Sequence, residues 1–184
     1  MSTMPPRSEL APIVVAVTGL PGTGKSTLAD AIARKLVVPA FAGDWLLGAL
    51  KPVASALVNV DRATQLQTYN GLLKSLLVRQ AILGQSAIVD ALVTDDVAAD
   101  WQSATAEHGA SFAVIECTCS DERLHRQRIE GRVRGIPGWH EVGWDHVARM
   151  AAEFAPLTCD RLVVDAVEPV ESNLAAVLGY VERS

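Results

Sequence analysis

The sequence predicts an α/β fold, with a parallel sheet covered by helices on both faces. Three observations carry this. Strand-like and helix-like runs alternate along most of the 184 residues. The first strand, "IVVAV" (13–17), is an unbroken β-branched run of the kind buried on both faces. A glycine-rich turn then leads straight into a helical pattern, as in a βαβ unit. The length suits one domain with a sizeable core and is too short for two ordinary ones, so residues 12–184 are expected to form a single domain.

The elements follow in order. After the glycine turn, Leu28, Ala29, Ile32, Ala33 and Leu36 recur at helical spacing, with Asp30 and Arg34 paired at i,i+4 on another face. "VVPAFAG" (37–43) reads as a second short strand, limited on one side by Pro39. A short helix is expected over 44–52, stopped by Pro52. Asp61 is placed to cap a long helix, 62–83, with a stripe of Leu66, Tyr69, Leu73, Leu76, Leu77 and Ala81, ended by Gly84. "SAIVD" (86–90) is the third strand, 95–107 a helix and "SFAVIEC" (111–117) the fourth strand. Ser120 is expected to cap a helix whose first turn holds Asp121 and Glu122, and Gly131 to end it. Three glycines and a proline make 132–143 a loop. Helix resumes over 144–154, "RLVVD" (161–165) is the fifth strand and 170–182 the closing helix.

Composition narrows the class. Apolar residues make up 49% and charged residues 20%, a globular balance with no apolar run near a membrane span. The opening "MSTMPPRSELAP" lacks the apolar stretch of a leader, so 1–11 is expected to be a mobile tail. Cys117, Cys119 and Cys159 lack zinc-ligand spacing and read as reduced thiols of a cytoplasmic protein. A net charge of −5 argues against general nucleic-acid binding.

The chemistry concentrates at the carboxyl ends of the strands, where parallel sheets bind ligands. Gly19-Leu-Pro-Gly-Thr-Gly24-Lys25-Ser26 fits G-x-x-x-x-G-K-[ST], a loop that wraps phosphate with backbone N–H groups. Gly22 and Gly24 leave room where the chain approaches the phosphate. The helix N-terminus adds positive charge, Lys25 is expected to reach the β- and γ-phosphates, and the Ser26 hydroxyl to ligate Mg²⁺. A second, acidic Mg²⁺ anchor is needed after a hydrophobic strand, and both Asp90 and Asp165 offer one. Asp44 follows the second strand at the same rim. It is either a base for an acceptor hydroxyl or the cap of the next helix. Residues 123–134 hold five arginines (123, 126, 128, 132 and 134) against one acid, Glu130. Arg123 and Arg126 read as a solvated face, while Arg128, Arg132 and Arg134 approach a Gly/Pro-broken segment suited to a lid over phosphates. Trp139 and Trp144 either close over an acceptor or staple the lid. The histidines show no metal spacing and read as surface or hinge residues.

"GLPGTGKSTLA", the lone Asp after strand two, "IVDA", "CTCSDERLHRQRIEGR" and "VVDAVEP" together resemble the small P-loop kinases labelled AAA-type ATPases. The likeness spans about 12–181 and takes in gluconate kinase, polynucleotide 5′-hydroxyl kinase, chloramphenicol phosphotransferase and zeta-toxin-type kinases. It implies a three-layer P-loop kinase fold, with a five-stranded parallel sheet in the order 2-3-1-4-5 and a lid at about 131–143. It implies ATP held by Gly19, Pro21, Gly22, Thr23, Gly24, Lys25, Ser26 and Thr27, with Arg128 on the nucleotide and Val167 among the adenine contacts of 165–169. It further implies Ser26 and Asp90 at Mg²⁺, and Lys25, Asp44, Arg128 and Arg132 as the catalytic set. The expected reaction is transfer of the γ-phosphate to a hydroxyl of a small molecule. The acceptor is expected among Asp44, residues 45–60, Tyr69, Asn70 and the lid tryptophans. Two rival readings are a regulatory nucleotide-binding ATPase module and a polynucleotide 5′-hydroxyl kinase. No N-K-x-D or D-x-x-G marks a guanine switch, and no L-S-G-G-Q appears. "DALVT" and "GDWLL" stand where nucleoside monophosphate kinases and shikimate kinases carry D-G-[FY]-P-R and D-x-D.

Overall fold

Val14, Val15, Ala16 and Val17 are completely buried, which makes strand β1 (Ile13–Thr18) the middle of the molecule. The computed structural model describes residues 11–183; the expected mobile tail, apart from Ala11, lies outside the described residues, as does residue 184. Along the chain follow α1 (Lys25–Leu36), β2 (Ala40–Ala42), α2 (Gly43–Ala49), a 3-10 turn (Lys51–Val53), α3 (Ala54–Leu57) and α4 (Arg62–Ile82). Then come β3 (Ala87–Asp90), α5 (Asp95–Ala106), β4 (Ser111–Thr118), α6 (Glu122–Glu130), α7 (Trp144–Glu153), β5 (Leu162–Asp165) and α8 (Val170–Val181). The sheet is parallel throughout, in the order β2-β3-β1-β4-β5.

Alternation along β1 sorts two cores. Val14 and Ala16 face Leu73 and Leu77 of α4 and Trp101 of α5. Val15 and Val17 face Leu28 and Ile32 of α1 and Val177 of α8. Each buried aliphatic side chain contributes about 1.5–3 kcal/mol relative to exposure. Among the described residues no helix is long and apolar enough to cross a membrane.

The element order stands as read, with local corrections. Val37 does not open strand two: it closes α1 in the left-handed region (φ 56°), its N–H donating to the Ala33 carbonyl. Pro39 lacks an N–H, but its carbonyl accepts from Ile88, so the strand proper begins at Ala40. Pro52 lies in the 3-10 turn after α2 rather than ending α2 itself. Asp61 caps α4 as expected, accepting from the Thr64 N–H at 3.0 Å. Of the α4 stripe, Leu73, Leu77 and Ala81 are buried, whereas Leu66 is exposed to a neighbouring cavity. The cap of α6 is Asp121, one residue later than expected; it accepts from the Leu124 N–H, and the Ser120 N–H instead donates to Asp165.

Candidate active site

Register brings the site together. Asp90 ends β3 between Val17 of β1 and Ala42 of β2, so the segments after all three strands meet at one rim. The glycine-rich loop joins β1 to α1 there. It is braced internally by Thr23, whose hydroxyl donates to the Leu20 carbonyl at 2.8 Å. It is braced externally by α6. The His125 Nε2 lies 2.7 Å from the Pro21 carbonyl, and since a carbonyl only accepts, Nε2 carries the proton. Gly22 has φ +88°, and a Cβ there would lie 2.8 Å from Ile129 and 3.0 Å from His125. Its missing side chain therefore serves the packing of α6 as well as the φ it adopts. His125 is thus a buried support of the loop, edge-on to Trp144 at 5.1 Å, and not a surface or hinge residue. Its signal was the i,i+4 pair His125 and Ile129, the buried stripe of an otherwise charged helix.

Lys25 and Asp90 are both buried beneath the loop. Burial pushes the Asp90 carboxyl up, against the opposing pull of the Lys25 charge and the Ser26 hydroxyl. Its Oδ1 is buried without a hydrogen-bond partner. An orphaned carboxylate oxygen beside a hydroxyl is the donor set of a Mg²⁺ that takes its remaining ligands from phosphates and water, so Asp90 and Ser26 fit that ion. Among the described residues no cluster of three or more His, Cys, Asp or Glu forms a self-contained metal site. Asp165 is already engaged, its Oδ1 accepting the N–H groups of Ser120 and Val167 at 3.1 and 3.0 Å.

Two cavities open from this rim. The first, about 460 Å³, is lined by Gly22, Thr23, Gly24, Lys25, Ser26 and Thr27 of the loop and helix, and by Arg128, Arg132 and Arg134. Its far wall is Ala166, Glu168, Val170 and Asn173; Val167 lies outside that wall, half-exposed. Arg128 donates to the Ala166 carbonyl at 3.0 Å, tying α6 to that wall. Burial, then the like charge of Arg134, holds the Arg132 guanidinium below its usual value. Its Nη1 is buried without a partner, a donor facing no acceptor. Arg123 and Arg126 stay on the exposed face, Arg126 pairing with Glu130 at 2.7 Å.

The second cavity, about 640 Å³, begins at Gly19, Pro21, Lys25, Asp44 and Asp90 and extends between α4 and α7. Asp44 does not cap α2: the N-cap is Ala42, without a side-chain bond. Instead Asp44 forms an ion pair with Arg134, which also donates to Glu141 through its backbone N–H (2.7 Å) and Nε (3.3 Å). The Arg134 guanidinium lies 5.4 Å from the Trp139 ring centre. Although burial pushes Glu141 up, the N–H and charge of Arg134 outweigh it and hold the carboxyl below its ordinary range. The Tyr69 phenol lies over Gly43, and burial together with Asp44 and Asp90 raises it. Of the expected acceptor residues, Asp44, Leu47, Tyr69 and Trp139 line this cavity. Asn70 and the rest of 45–60 do not, and Trp144 packs on His125 instead.

Residues 14–157 match the model of a family described as AAA domain. No curated protein matches the chain. Solved structures share the fold. An unliganded sugar kinase from Janibacter sp. HTCC2649 is 18% identical, with 93% of this chain and 95% of that one covered and a TM-score of 0.69. A gluconokinase from Sinorhizobium meliloti 1021 is 16% identical, covering 94% and 93%, with a TM-score of 0.66. An APS kinase from Mycobacterium tuberculosis in complex with AMPPNP and APS is 18% identical, covering 94% and 98%, with a TM-score of 0.64. The five-stranded parallel order and the loop before α1 are those of a P-loop kinase fold.

Proposed function

The chain belongs to the AAA-domain family, and from that premise we propose that it is an ATP- and Mg²⁺-dependent cytoplasmic kinase that phosphorylates a hydroxyl of a small molecule. One observation carries the reading. The phosphate-loop cavity and the α4–α7 cavity meet, and among the described residues only Lys25 and Arg134 line both. A hydrolase or a switch has no need of a second cavity of about 640 Å³ joined to the first at the phosphate-binding lysine.

Each residue has a role in transfer. The loop N–H groups and the N-terminus of α1 receive the phosphates. Lys25 reaches the β- and γ-phosphates, and the unpartnered Arg132 Nη1 donates to their outer oxygens, where charge accumulates during transfer. Arg128 closes the nucleotide cavity against the Ala166 wall, and Val167 sits in the turn expected beside the base. Mg²⁺, when held by Asp90 and Ser26, supplies charge neutralisation between the phosphates. Asp44 faces the acceptor and takes its hydroxyl proton. The hydroxyl oxygen then bonds to the γ-phosphorus as the bond to the ADP oxygen breaks.

ADP release from ATP over a panel of hydroxyl compounds tests this. Lys25→Ala should abolish transfer. Asp44→Asn should keep nucleotide binding while losing about 10²–10⁴-fold in turnover. Normal turnover in Asp44→Asn sinks the base assignment. ATP hydrolysis that no acceptor accelerates sinks the kinase reading.

A further inference from the structure

The acceptor cavity has a polarity pattern of its own. Arg62, Gln65, Leu66 and Tyr69 stand at i, i+3, i+4 and i+7 on α4, and His146, Arg149, Met150 and Glu153 repeat that spacing on α7. Each set is one helical stripe, and the two stripes form the cavity walls. Tyr69 marks the deep end, beside Asp44 and Asp90. At the other end Arg62 and Glu153 lie 3.9 Å apart across the mouth. Seven residues of helix separate Tyr69 from Arg62, a span of about 10 Å.

Between the ends Leu47, Leu66, Met150, Phe154 and the Trp139 ring make most of the wall apolar, with Gln65 and His146 as its polar members. Gln65 offers no amide N–H there, because it donates to the Leu57 and Val60 carbonyls at 3.0 and 2.7 Å. The mouth is cationic, with Arg62 and Arg149 against Glu153, in a chain whose net charge is −5. Arg62 is paired with Glu153, whereas Arg149 has no hydrogen bond or ion pair among the described residues.

We infer that the acceptor is an elongated hydroxy acid, with its hydroxyl at Asp44, an apolar body along Leu66 and Met150, and an anionic group toward the mouth at Arg149, one helical turn inward of Glu153. This rests on the kinase reading above. It ranks polyols below this class, since hydroxyls lying against Leu47, Leu66 and Met150 find no partner there, and along that wall only the Gln65 Oε1 and His146 are placed to pair one. The unpaired Arg149 guanidinium is instead free for a carboxylate, phosphate or sulfate.

Three probes separate the features: 8-hydroxyoctanoate, 1,8-octanediol and gluconate, titrated calorimetrically into the full chain with ADP and Mg²⁺ present. The hydroxy acid should bind at least tenfold more tightly than either the diol or gluconate. Arg149→Ala should reduce the acid to the level of the diol, and Arg149→Lys should restore part of the difference. Equal binding of acid and diol, tighter binding of gluconate, no effect of Arg149→Ala in a variant that melts like the parent, or no binding of any probe overturns the inference. Phosphate ester formation from ATP, followed by mass spectrometry, is scored separately. Arg149-dependent binding of the acid without ester upholds the site and sinks the kinase reading. Ester formed on gluconate alone upholds the kinase reading and sinks the inference.

Discussion

Replacing Gly48 by Ala should unseat the 131–143 segment, the lid of the proposed kinase, without unfolding the protein. The 131–143 segment rests on α2 by backbone contact: a Cβ on Gly48 would stand 2.3 Å from the Pro137 carbonyl oxygen, and one on Gly138 would stand 2.2 Å from the Gly48 oxygen. Ordinary contact begins at 3.4 Å, so the lid backbone must retreat by about 1 Å. That retreat pulls Arg134 from Asp44. The pair is well shielded, with side chains 14% and 29% exposed, and a charged hydrogen bond of this kind contributes about 2 kcal/mol. Losing it raises the open population about thirtyfold. Tryptic cleavage after Arg132 or Arg134 should accelerate by the same factor, since proteolysis follows the open fraction when closing is fast. Alanine meanwhile favours the α2 helix by up to about 1 kcal/mol, so the melting temperature should move by only a few degrees. An unchanged cleavage rate would refute the argument. So would a large fall in melting temperature with cleavage spread along the chain, because the contact would then be structural rather than local to the lid.

His125→Ala removes the bond to the Pro21 carbonyl and the packing on Gly22; a loss of about 1–3 kcal/mol and about tenfold in ADP affinity is expected, read by thermal melts and calorimetry, with His125→Gln recovering part of both. Asp95 anchors the turn before β5, and its hydrogen bonds from the Thr158 hydroxyl, the Cys159 N–H and the Thr158 N–H lower its pKa to about 2. Its folded value lies below the unfolded one, so its stabilisation is complete above about pH 4 and is lost as pH falls toward 2. Acid melts should show that loss in the parent and less of it in Asp95→Asn. Burial pushes the Cys117 thiol up to about 12, so a thiol reagent at pH 8 should label Cys119 and leave Cys117 unlabelled until denaturant is added.

The parts of this molecule legible in its sequence are those decided by short-range chemistry. The β-branched run of β1, the loop before Lys25 and the caps at Asp61 and Gly84 all act within a few residues, and all stand where expected. The strand order came from a resemblance rather than from periodicity, which does not encode which strands are neighbours. Asp90 and Asp165 looked alike for the same reason: each ends a hydrophobic strand, and only the sheet places one between β1 and β2 and gives the other to the turn at Ser120 and Val167. Asp44 and Arg134 are ninety residues apart, so no local pattern announces their ion pair. A histidine among charged residues reads as exposed, so His125 looks peripheral in sequence; the stripe it shares with Ile129 holds the opposite information.

Arg134 explains why the two halves of the site need not act independently. Its guanidinium borders the nucleotide cavity, yet its charge is satisfied by Asp44 and Glu141 on the acceptor side. Arg132 beside it has no such partner and bears both burial and the like charge of Arg134. On the kinase reading proposed above, a triphosphate in the first cavity would relieve Arg132 directly and compete with Asp44 for Arg134. A shift of Arg134 toward phosphate would then free the Asp44 carboxylate when a transferable phosphoryl group is present, and the opposite shift would hold it neutralised when the first cavity is empty. Under that reading, one side chain shared between two cavities links the proposed base to occupancy by the donor through electrostatics alone, with no requirement that the sheet or its helices move.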